Sequence, residues 1–343
     1  MPKIALTAYR LSFHSALHLS RGMSDYEQGQ EILHADTLKS ALFSCGIQLF
    51  GEEGMPADFM DQFRISSAFP YCGEEYFFPK PFMPLQLDFP DVKGQEAKAA
   101  KKAKKLKFIG KSLWEKLLQA PSEKIAINSG QLHQKESFVS EKLQNVSAIM
   151  KKHTQQRVKV PHFFEEDQNT VPYYLERIYF GENCGLYFLT DAEGETRQKL
   201  EACLRLLGDN GIGTDRNAGN GLFELLTGET IQIHYPDQAT HQIALSLYCP
   251  EQQELTEKLL AGASYQLIKR GGFMAGAQHE HQRHYRKKSV YMFTEGAVFP
   301  KAELKGKKVN LRPESLEHDQ VGHPIWRDGQ PLWIPCLPPH QEA

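Results

Sequence analysis

Hydrophobic and polar positions alternate in the first part of the chain, residues 3–19, as in Leu11-Ser12-Phe13-His14. A period of two residues is typical of a strand with one buried face. The pattern changes to helical spacing after Asp36, where Leu38 and Leu42 lie one turn apart. These features predict a strand followed, after a loop, by an amphipathic helix.

A second helical pattern covers residues 195–207 and leads into a loop with four glycines. Short apolar runs bounded by turn residues predict strands at residues 63–70, 76–79, 157–160, 173–180, 185–190, 222–226 and 243–248. We expect the runs at 173–180 and 185–190 to pair as a hairpin around Gly181-Glu182-Asn183.

Strand, helix, strands, helix, strand is the order of a ferredoxin-like (RRM-like) βαββαβ unit. The expected fold class is therefore α+β, with two ferredoxin-like (RRM-like) domains that carry insertions. We expect residues 1–230 to form the first domain and residues 231–343 a second, degenerate RRM-like domain, with the boundary near residues 228–237.

The overall charge does not by itself indicate a nucleic-acid-binding protein, because the chain has 40 basic and 42 acidic residues and a net charge of −2. Any nucleic-acid surface must therefore come from local clusters. The six cysteines form no Cys-x-x-Cys pair, which excludes a zinc ribbon or a disulfide scaffold and indicates a reducing compartment. Arg10 and His14 interrupt the first apolar stretch, and no run reaches the ~18 apolar residues of a membrane helix. We expect a cytoplasmic protein with no membrane contact.

The glycine-rich loop, residues 211–221, contains Gly211, Gly213, Gly219 and Gly221. It is not a Walker A loop, because no Gly-Lys-Ser/Thr ends it, and it is not a dinucleotide fingerprint, because a strand follows it. Backbone N–H groups of such a loop can meet phosphate oxygens, while Arg216 and Asn217 add charge and hydrogen bonds. A tight connection between helix and strand explains the glycines equally well, so both interpretations stay open.

Two basic clusters suggest contacts with a single nucleic-acid strand. In the first, Lys151, Lys152, Arg157 and Lys159 precede Phe163 and Phe164 with no acidic residue among the four. Phosphates can take the charge while a base rests on a ring, although the two phenylalanines would also suit a core. The second cluster flanks Gly271-Gly272 and consists of Lys269, Arg270, Arg283, Arg286, Lys287 and Lys288.

Three other features carry weaker signals. Residues 93–116 hold nine lysines and two acids, a composition that predicts a solvated helical insertion. His279, His281 and His284 lack a nearby cysteine or a rigid frame, so we expect no metal site. Asp36 stands where a helix N-cap belongs, which gives its carboxylate a structural role.

The chain resembles the RAMP superfamily of CRISPR proteins, and within it the fourth subunit of the type III-A Csm effector complex. The resemblance covers nearly the whole chain, and its order and number of motifs make it specific. The motifs that carry it are His34-Ala35-Asp36-Thr37-Leu38, residues 65–70, residues 76–81, Gly211-Ile212-Gly213-Thr214-Asp215-Arg216, Gly219-Asn220-Gly221, Ala263-Ser264-Tyr265-Gln266-Leu267, Arg270-Gly271-Gly272, residues 287–296 and residues 323–335.

The resemblance implies a subunit that holds the repeat-derived 5′ handle of a CRISPR guide RNA. Its partners would be the large polymerase-domain subunit and the repeating backbone RAMP subunit, with target RNA met only through the guide. It also implies a β-hairpin thumb at about residues 151–173. The predicted RNA-binding residues are Arg21, His34, Lys151, Lys152, Arg157, Lys159, Phe163, Phe164, Gly211, Gly213, Arg216, Asn217, Gly219, Gly221, Lys269, Arg270, Arg286, Lys287 and Lys288.

We therefore expect a non-catalytic, RNA-binding protein that needs no cofactor and no metal. The alternative is a metal-independent RAMP endoribonuclease that processes CRISPR precursor RNA. Such an enzyme often uses a histidine as general base, and His14, His18 and His34 are the candidates here.

Overall fold

A computed structural model describes residues 2–20, 29–144, 148–159, 171–214, 216–273, 285–313 and 324–338. The helices in these ranges are α1 (Ala35–Gly54), α2 (Glu96–Lys105), α3 (Lys111–Gln119), α4 (Gly194–Asn210) and α5 (Glu257–Ala261). In the part of the chain that is described, no helix is long and apolar enough to cross a bilayer.

The strands supply one large sheet and several small ones. They are β1 (Lys3–Phe13), β2 (Phe69–Cys72), β3 (Glu75–Pro79), β4 (Leu87–Asp88), β5 (Phe108–Gly110), β6 (Ile125–Ala126), β7 (Leu132–His133), β8 (Phe138–Val139), β9 (Met150–Lys159), β10 (Val171–Phe180), β11 (Cys184–Thr190), β12 (Phe223–His234), β13 (His241–Ala244), β14 (Leu267–Arg270), β15 (Val290–Phe293), β16 (Val298–Pro300), β17 (Val309–Asn310), β18 (Trp326–Arg327) and β19 (Trp333–Cys336). The large sheet is mixed and has the order β12-β1-β11-β2-β3-β5-β8-β7.

The first half of this sheet has the predicted βαββαβ connectivity. The chain runs β1, α1, β2, β11, α4, β12, and the strands lie in the order β12-β1-β11-β2 with antiparallel neighbours. The split βαβ arrangement explains this order, since β1 and β11 become the central strands. A mixed α+β architecture is therefore confirmed.

The helical pattern of the sequence marks the face that each helix buries. Leu38 and Leu42 of α1, and Leu200, Leu204 and Leu207 of α4, are buried, and the two helices contact each other. In contrast, α2 buries none of its residues, as the lysine-rich composition predicts. Several lysines in and around it form ion pairs with carboxylates of this chain, namely Lys102 and Lys105 with Glu136, Lys107 with Glu31, and Lys116 with Glu141.

Three sequence predictions need correction here. β1 ends at Phe13, so residues 14–19 leave the sheet. The predicted hairpin of residues 173–180 with 185–190 is wrong, because β10 pairs with β9 while β11 enters the large sheet between β1 and β2. Strand propensity identified the segments, but the choice of partner depends on contacts between distant residues. The strand predicted at residues 63–70 is also displaced, since β2 covers Phe69–Cys72.

The C-terminal region is built on a small antiparallel sheet of order β16-β13-β19. β12 stays in the first sheet as far as His234, where it pairs with Lys3, so the N-terminal unit extends past residue 230. Ile243, Val298 and Ile334 of the small sheet belong to the same buried cluster as the large sheet. The two regions therefore share part of their core, while the C-terminal region has a further buried cluster around Tyr248 and Phe299. A second ferredoxin-like unit stays a prediction.

A row of buried polar contacts also joins the two regions. The Asp36 carboxylate in α1 accepts two hydrogen bonds from the Arg270 guanidinium, both 2.9 Å long, and lies 3.3 Å from Nη1 of Arg327. Lys39, one helical turn further, pairs with Asp328 at 3.1 Å. These charged side chains are largely buried, and each pair joins α1 to the C-terminal region. The pairs therefore fix the position of one region relative to the other.

We expect Arg270→Ala to lower the free energy of unfolding by about 3–5 kcal/mol, because the buried Asp36 carboxylate would be left without its bidentate partner. Urea unfolding followed by circular dichroism measures the change. Lys269→Ala is the matched control, since the neighbouring side chain is exposed and should change stability by at most about 0.5 kcal/mol. Equal stability of the two variants would show that the Arg270 ion pair does not hold the regions together.

Candidate nucleic-acid interface

The glycine-rich loop is a backbone structure that requires its glycines. Gly211, Gly213, Gly219 and Gly221 all have positive φ, between 72° and 108°. A Cβ atom on Gly221 would lie 1.8 Å from the carbonyl oxygen of Ile212. At Gly219 there is open space, so only the left-handed backbone favours glycine there.

The loop is closed against the segment that follows β1. The amide of Gly221 donates to the carbonyl of Ala16 at 2.8 Å, and the amide of Thr214 donates to the carbonyl of His18 at 3.2 Å. The residues of a short 3₁₀ turn, Arg216–Ala218, are exposed. The tight-connection interpretation therefore accounts for the buried glycines, while Arg216 and Asn217 remain available at the surface.

β9 and β10 form the two-stranded ribbon predicted as a thumb. Each strand has ten residues, so the ribbon extends about 34 Å. Residues 160–170 between the strands lie outside the described residues, and so do the predicted sites Phe163, Phe164 and Arg21. The base of the ribbon is held by Leu17, whose backbone exchanges hydrogen bonds of 2.9 and 2.8 Å with Ile178.

One face of the ribbon combines basic and aromatic side chains. Residues directly opposite each other in an antiparallel pair share a face, and every second residue repeats it. The pairs on this face, from the base outward, are Lys151 with Tyr179, His153 with Arg177, Gln155 with Leu175, and Arg157 with Tyr173. We call these residues the basic face. It contains no carboxylate, and Tyr179 and Tyr173 are 44% and 36% exposed. Lys159 pairs with Val171 at the outer end of the ribbon.

On the opposite face of the ribbon, carboxylates neutralise the lysine that lies at the base. Nζ of Lys152 lies 3.0 Å from Glu176 and 3.2 Å from Glu31. Adjacency in the sequence suggests one site for Lys151 and Lys152, but adjacent strand residues point to opposite faces, so only Lys151 belongs to the basic face. The same alternation places Tyr173 and Tyr179 on the basic face. Their membership could not be predicted from the sequence alone, because both residues are distant from the lysines along the chain.

The second predicted cluster is divided between the interior and the surface. Arg270 is buried against Asp36, and His34 is buried with its Nδ1 2.8 Å from Glu295. A carboxylate of this chain already engages each of the two side chains, so the structure does not favour the RNA-binding role predicted for them, which stays a prediction. Lys269, Arg286 and Lys288 are exposed, and Lys287 is half-buried. Arg286 also lies over the ring of Phe273, 5.5 Å from its centroid.

Asp36 is not the N-cap that the sequence predicted. α1 begins at Ala35, and the hydroxyl of Ser67 accepts the hydrogen bond of the Ala35 amide at 2.9 Å, so a distant residue takes the capping role. Burial alone would raise the pKa of Asp36, but the charges of Arg270 and Arg327 hold it well below its usual range. The Asp36 carboxylate is therefore buried, ionised and paired with cations of this chain.

The histidines offer little to a catalytic site. His18 is buried, and its Nδ1 lies 2.6 Å from the carbonyl oxygen of Glu176. His34 is held by Glu295, which leaves His14 as the exposed member of the three candidates. Within the described ranges, no group of three or more metal-ligating side chains comes together. His279, His281 and His284 lie outside those ranges.

Comparison with known proteins agrees with this geometry. The family model of the CRISPR Csm4 C-terminal domain matches residues 237–336. A protein of Methanocaldococcus jannaschii named CRISPR system Cms protein Csm4 is 24% identical, over 95% of this chain and 96% of its own length. A protein of the same name from Mycobacterium tuberculosis is 28% identical over 88% of each chain.

Solved structures share the fold. A chain of the crystallised Csm1–Csm4 cassette in complex with cA4 matches with a TM-score of 0.62 at 20% identity, over 99% of this chain and 100% of that chain. A chain of the Csm3–Csm4 subcomplex of the type III-A CRISPR-Cas interference complex matches with a TM-score of 0.60 at 19% identity, over 98% and 100%.

The split βαβ sheet, the four-glycine loop and the projecting ribbon belong to a fold that this chain shares with solved Csm4-containing CRISPR structures. Residues 237–336 match the model of the Csm4 C-terminal domain family, and the resemblance of the chain to the fourth Csm subunit is confirmed along nearly its whole length.

We expect Gly221→Ala to destabilise the protein much more than Gly219→Ala. Both substitutions place a side chain at positive φ, which costs roughly 1–2 kcal/mol, but only Gly221→Ala also drives a Cβ into the Ile212 carbonyl. Urea unfolding of the two variants measures the difference. Equal destabilisation would show that the loop is not closed as tightly as described.

Proposed function

We propose that this chain is a non-catalytic, RNA-holding subunit of a type III-A CRISPR effector complex. The observation that carries the proposal is the basic face of the ribbon. There Lys151 and Arg157 lie opposite the exposed Tyr179 and Tyr173, and none of the eight residues of the face is a carboxylate. Single-stranded nucleic acid favours this combination, because phosphates pair with the cations while bases stack on the rings.

The glycine-rich loop belongs to the same proposed interface. Residues 14–18 contact the loop on one side and the ribbon on the other, through the carbonyls of Ala16 and His18 and the backbone of Leu17. Arg216 and Asn217 of this loop are exposed to solvent. One strand could therefore meet the loop and the ribbon in succession. We propose that this strand is the 5′ handle of the guide RNA.

The relatives suggest how the chain is assembled. Chains of the Csm1–Csm4 and Csm3–Csm4 complexes share its fold, so we propose that it docks the large polymerase-domain subunit on one side and the repeating backbone subunit on the other. It would meet target RNA only through the guide, and it would act in the cytoplasm. We also propose that the C-terminal region is a reduced copy of the RRM-like unit.

We expect Lys151→Gln combined with Arg157→Gln to weaken binding of a guide RNA and to flatten its salt dependence. The slope of log Kd against log salt should fall by about 0.7 for each phosphate that is no longer neutralised. Filter binding across a salt titration measures both quantities.

Lys152→Gln is the matched control for the ribbon, because Glu31 and Glu176 already neutralise this lysine. It should leave the slope close to that of the unmodified protein. If the double variant keeps the original slope too, the basic face does not contact RNA and the proposed function is without its main support.

The alternative function, a metal-independent endoribonuclease, has His14 as its exposed candidate base. We expect no defined cut when the purified protein is incubated with repeat RNA in EDTA, because His18 and His34 are buried and Asp36 is sealed. Gel analysis of end-labelled RNA gives the result. A single cut that disappears in His14→Ala would identify an enzyme.

A further inference from the structure

Three cations surround one carboxylate at the junction of the two regions. Asp36 is fully buried, and the side chains of Arg270 and Arg327 beside it are only 10% and 12% exposed. Lys287 lies half-buried in the same neighbourhood, with its backbone amide bonded to the carbonyl of Gly272 at 2.8 Å. We call Asp36, Arg270, Arg327 and Lys287 the junction cluster.

The nearby carboxylates do not balance this charge. Glu295 accepts hydrogen bonds from His34 and Ser67, and its charge also acts on Arg270, so two carboxylates face three cations; Asp328 pairs with Lys39. Asp36 gives its bidentate contact to Arg270 and meets Arg327 only at 3.3 Å. The junction cluster therefore carries more positive than negative charge.

The hydrogen bonding of Arg327 is incomplete. Its Nη1 and Nη2 reach the Thr37 hydroxyl at 3.3 Å and the Gly271 carbonyl at 3.4 Å, both long for hydrogen bonds. Its Nε is buried and has no hydrogen-bond partner among the described residues. Burying a guanidinium whose acceptors are distant or missing is costly. The part of the Arg327 side chain that stays exposed, 12%, therefore favours an anion that brings oxygen atoms.

The ammonium of Lys287 is disfavoured first by burial and then by the neighbouring cations. Burial, together with the charges of Arg327 and Arg270, lowers the pKa of Lys287 to about 8, and the opposing effect of Asp36 does not compensate. Near pH 8 this lysine is therefore only partly protonated, and a bound anion would restore its proton.

We propose that Arg327 and Lys287 of the junction cluster bind a backbone phosphate of single-stranded RNA. A guanidinium fork and an ammonium point charge together suit the oxygens of a phosphodiester. The adjacent strand pair places Lys269 opposite Tyr291, and Tyr291 is 63% exposed. A strand leaving the phosphate site would find a further cation and a ring for stacking there. This inference rests on the proposed function, since it adds a second site of attachment for the same RNA.

The test compares Lys287→Gln and Arg327→Gln with the unmodified protein, using a short oligouridylate as probe. Each substitution leaves the Arg270–Asp36 ion pair in place. We expect each to raise Kd about tenfold and to reduce the salt slope by about 0.7. Lys301→Gln, an exposed lysine of the same region, is the control and should bind like the unmodified protein.

Acylation of lysines, read by mass spectrometry, locates the site of binding. Oligouridylate should protect Lys287 in the unmodified protein, whereas inorganic phosphate or adenosine monophosphate at equal concentration should protect it weakly. Equal protection by the free phosphates would overturn the RNA assignment, because the site would then serve a small anion. Normal RNA binding by both variants would overturn the inference while leaving the proposed function intact. If the unmodified protein binds no oligouridylate and no guide RNA, the proposed function itself fails.

Discussion

The rest of the structure depends on the ion pair between Asp36 and Arg270. It joins the second residue of α1 to the last residue of β14, which are 234 positions apart in the chain. Buried ion pairs contribute little net stability, but they are costly to break, and this makes them effective at fixing one arrangement. The shared apolar core brings the two regions together, and the charged contacts decide how they meet.

A second constraint couples the proposed RNA-binding elements to each other. The short segment after β1 runs between the glycine-rich loop and the base of the ribbon and bonds to both through its backbone. These backbone hydrogen bonds do not involve the exposed side chains, so the loop and the ribbon keep their relation when exposed residues such as Arg216 change. The surface chemistry can therefore vary on a fixed frame.

The sequence predicted local features well and long-range ones poorly. The four glycines and the amphipathic pattern of residues 195–207 identified the loop and α4, because both depend on nearby residues. The capping role of Ser67 and the burial of Arg270 depend on residues far apart in the chain, which local patterns do not contain. Lys269 and Arg270 point to opposite faces of their strand, and so do Lys151 and Lys152. Strand alternation predicts this once the strands themselves are known.

The backbone of the glycine-rich loop has a consequence for tracing the evolution of such proteins. Gly211, Gly213 and Gly221 are required by close backbone approach, and that requirement would persist in a descendant that no longer bound nucleic acid. Glycines at these positions are therefore conserved with the fold. Their presence in a related protein is poor evidence that the protein still binds nucleic acid. The exposed turn of Arg216 and Asn217 is free of that steric requirement, so substitutions there would record a change of ligand first.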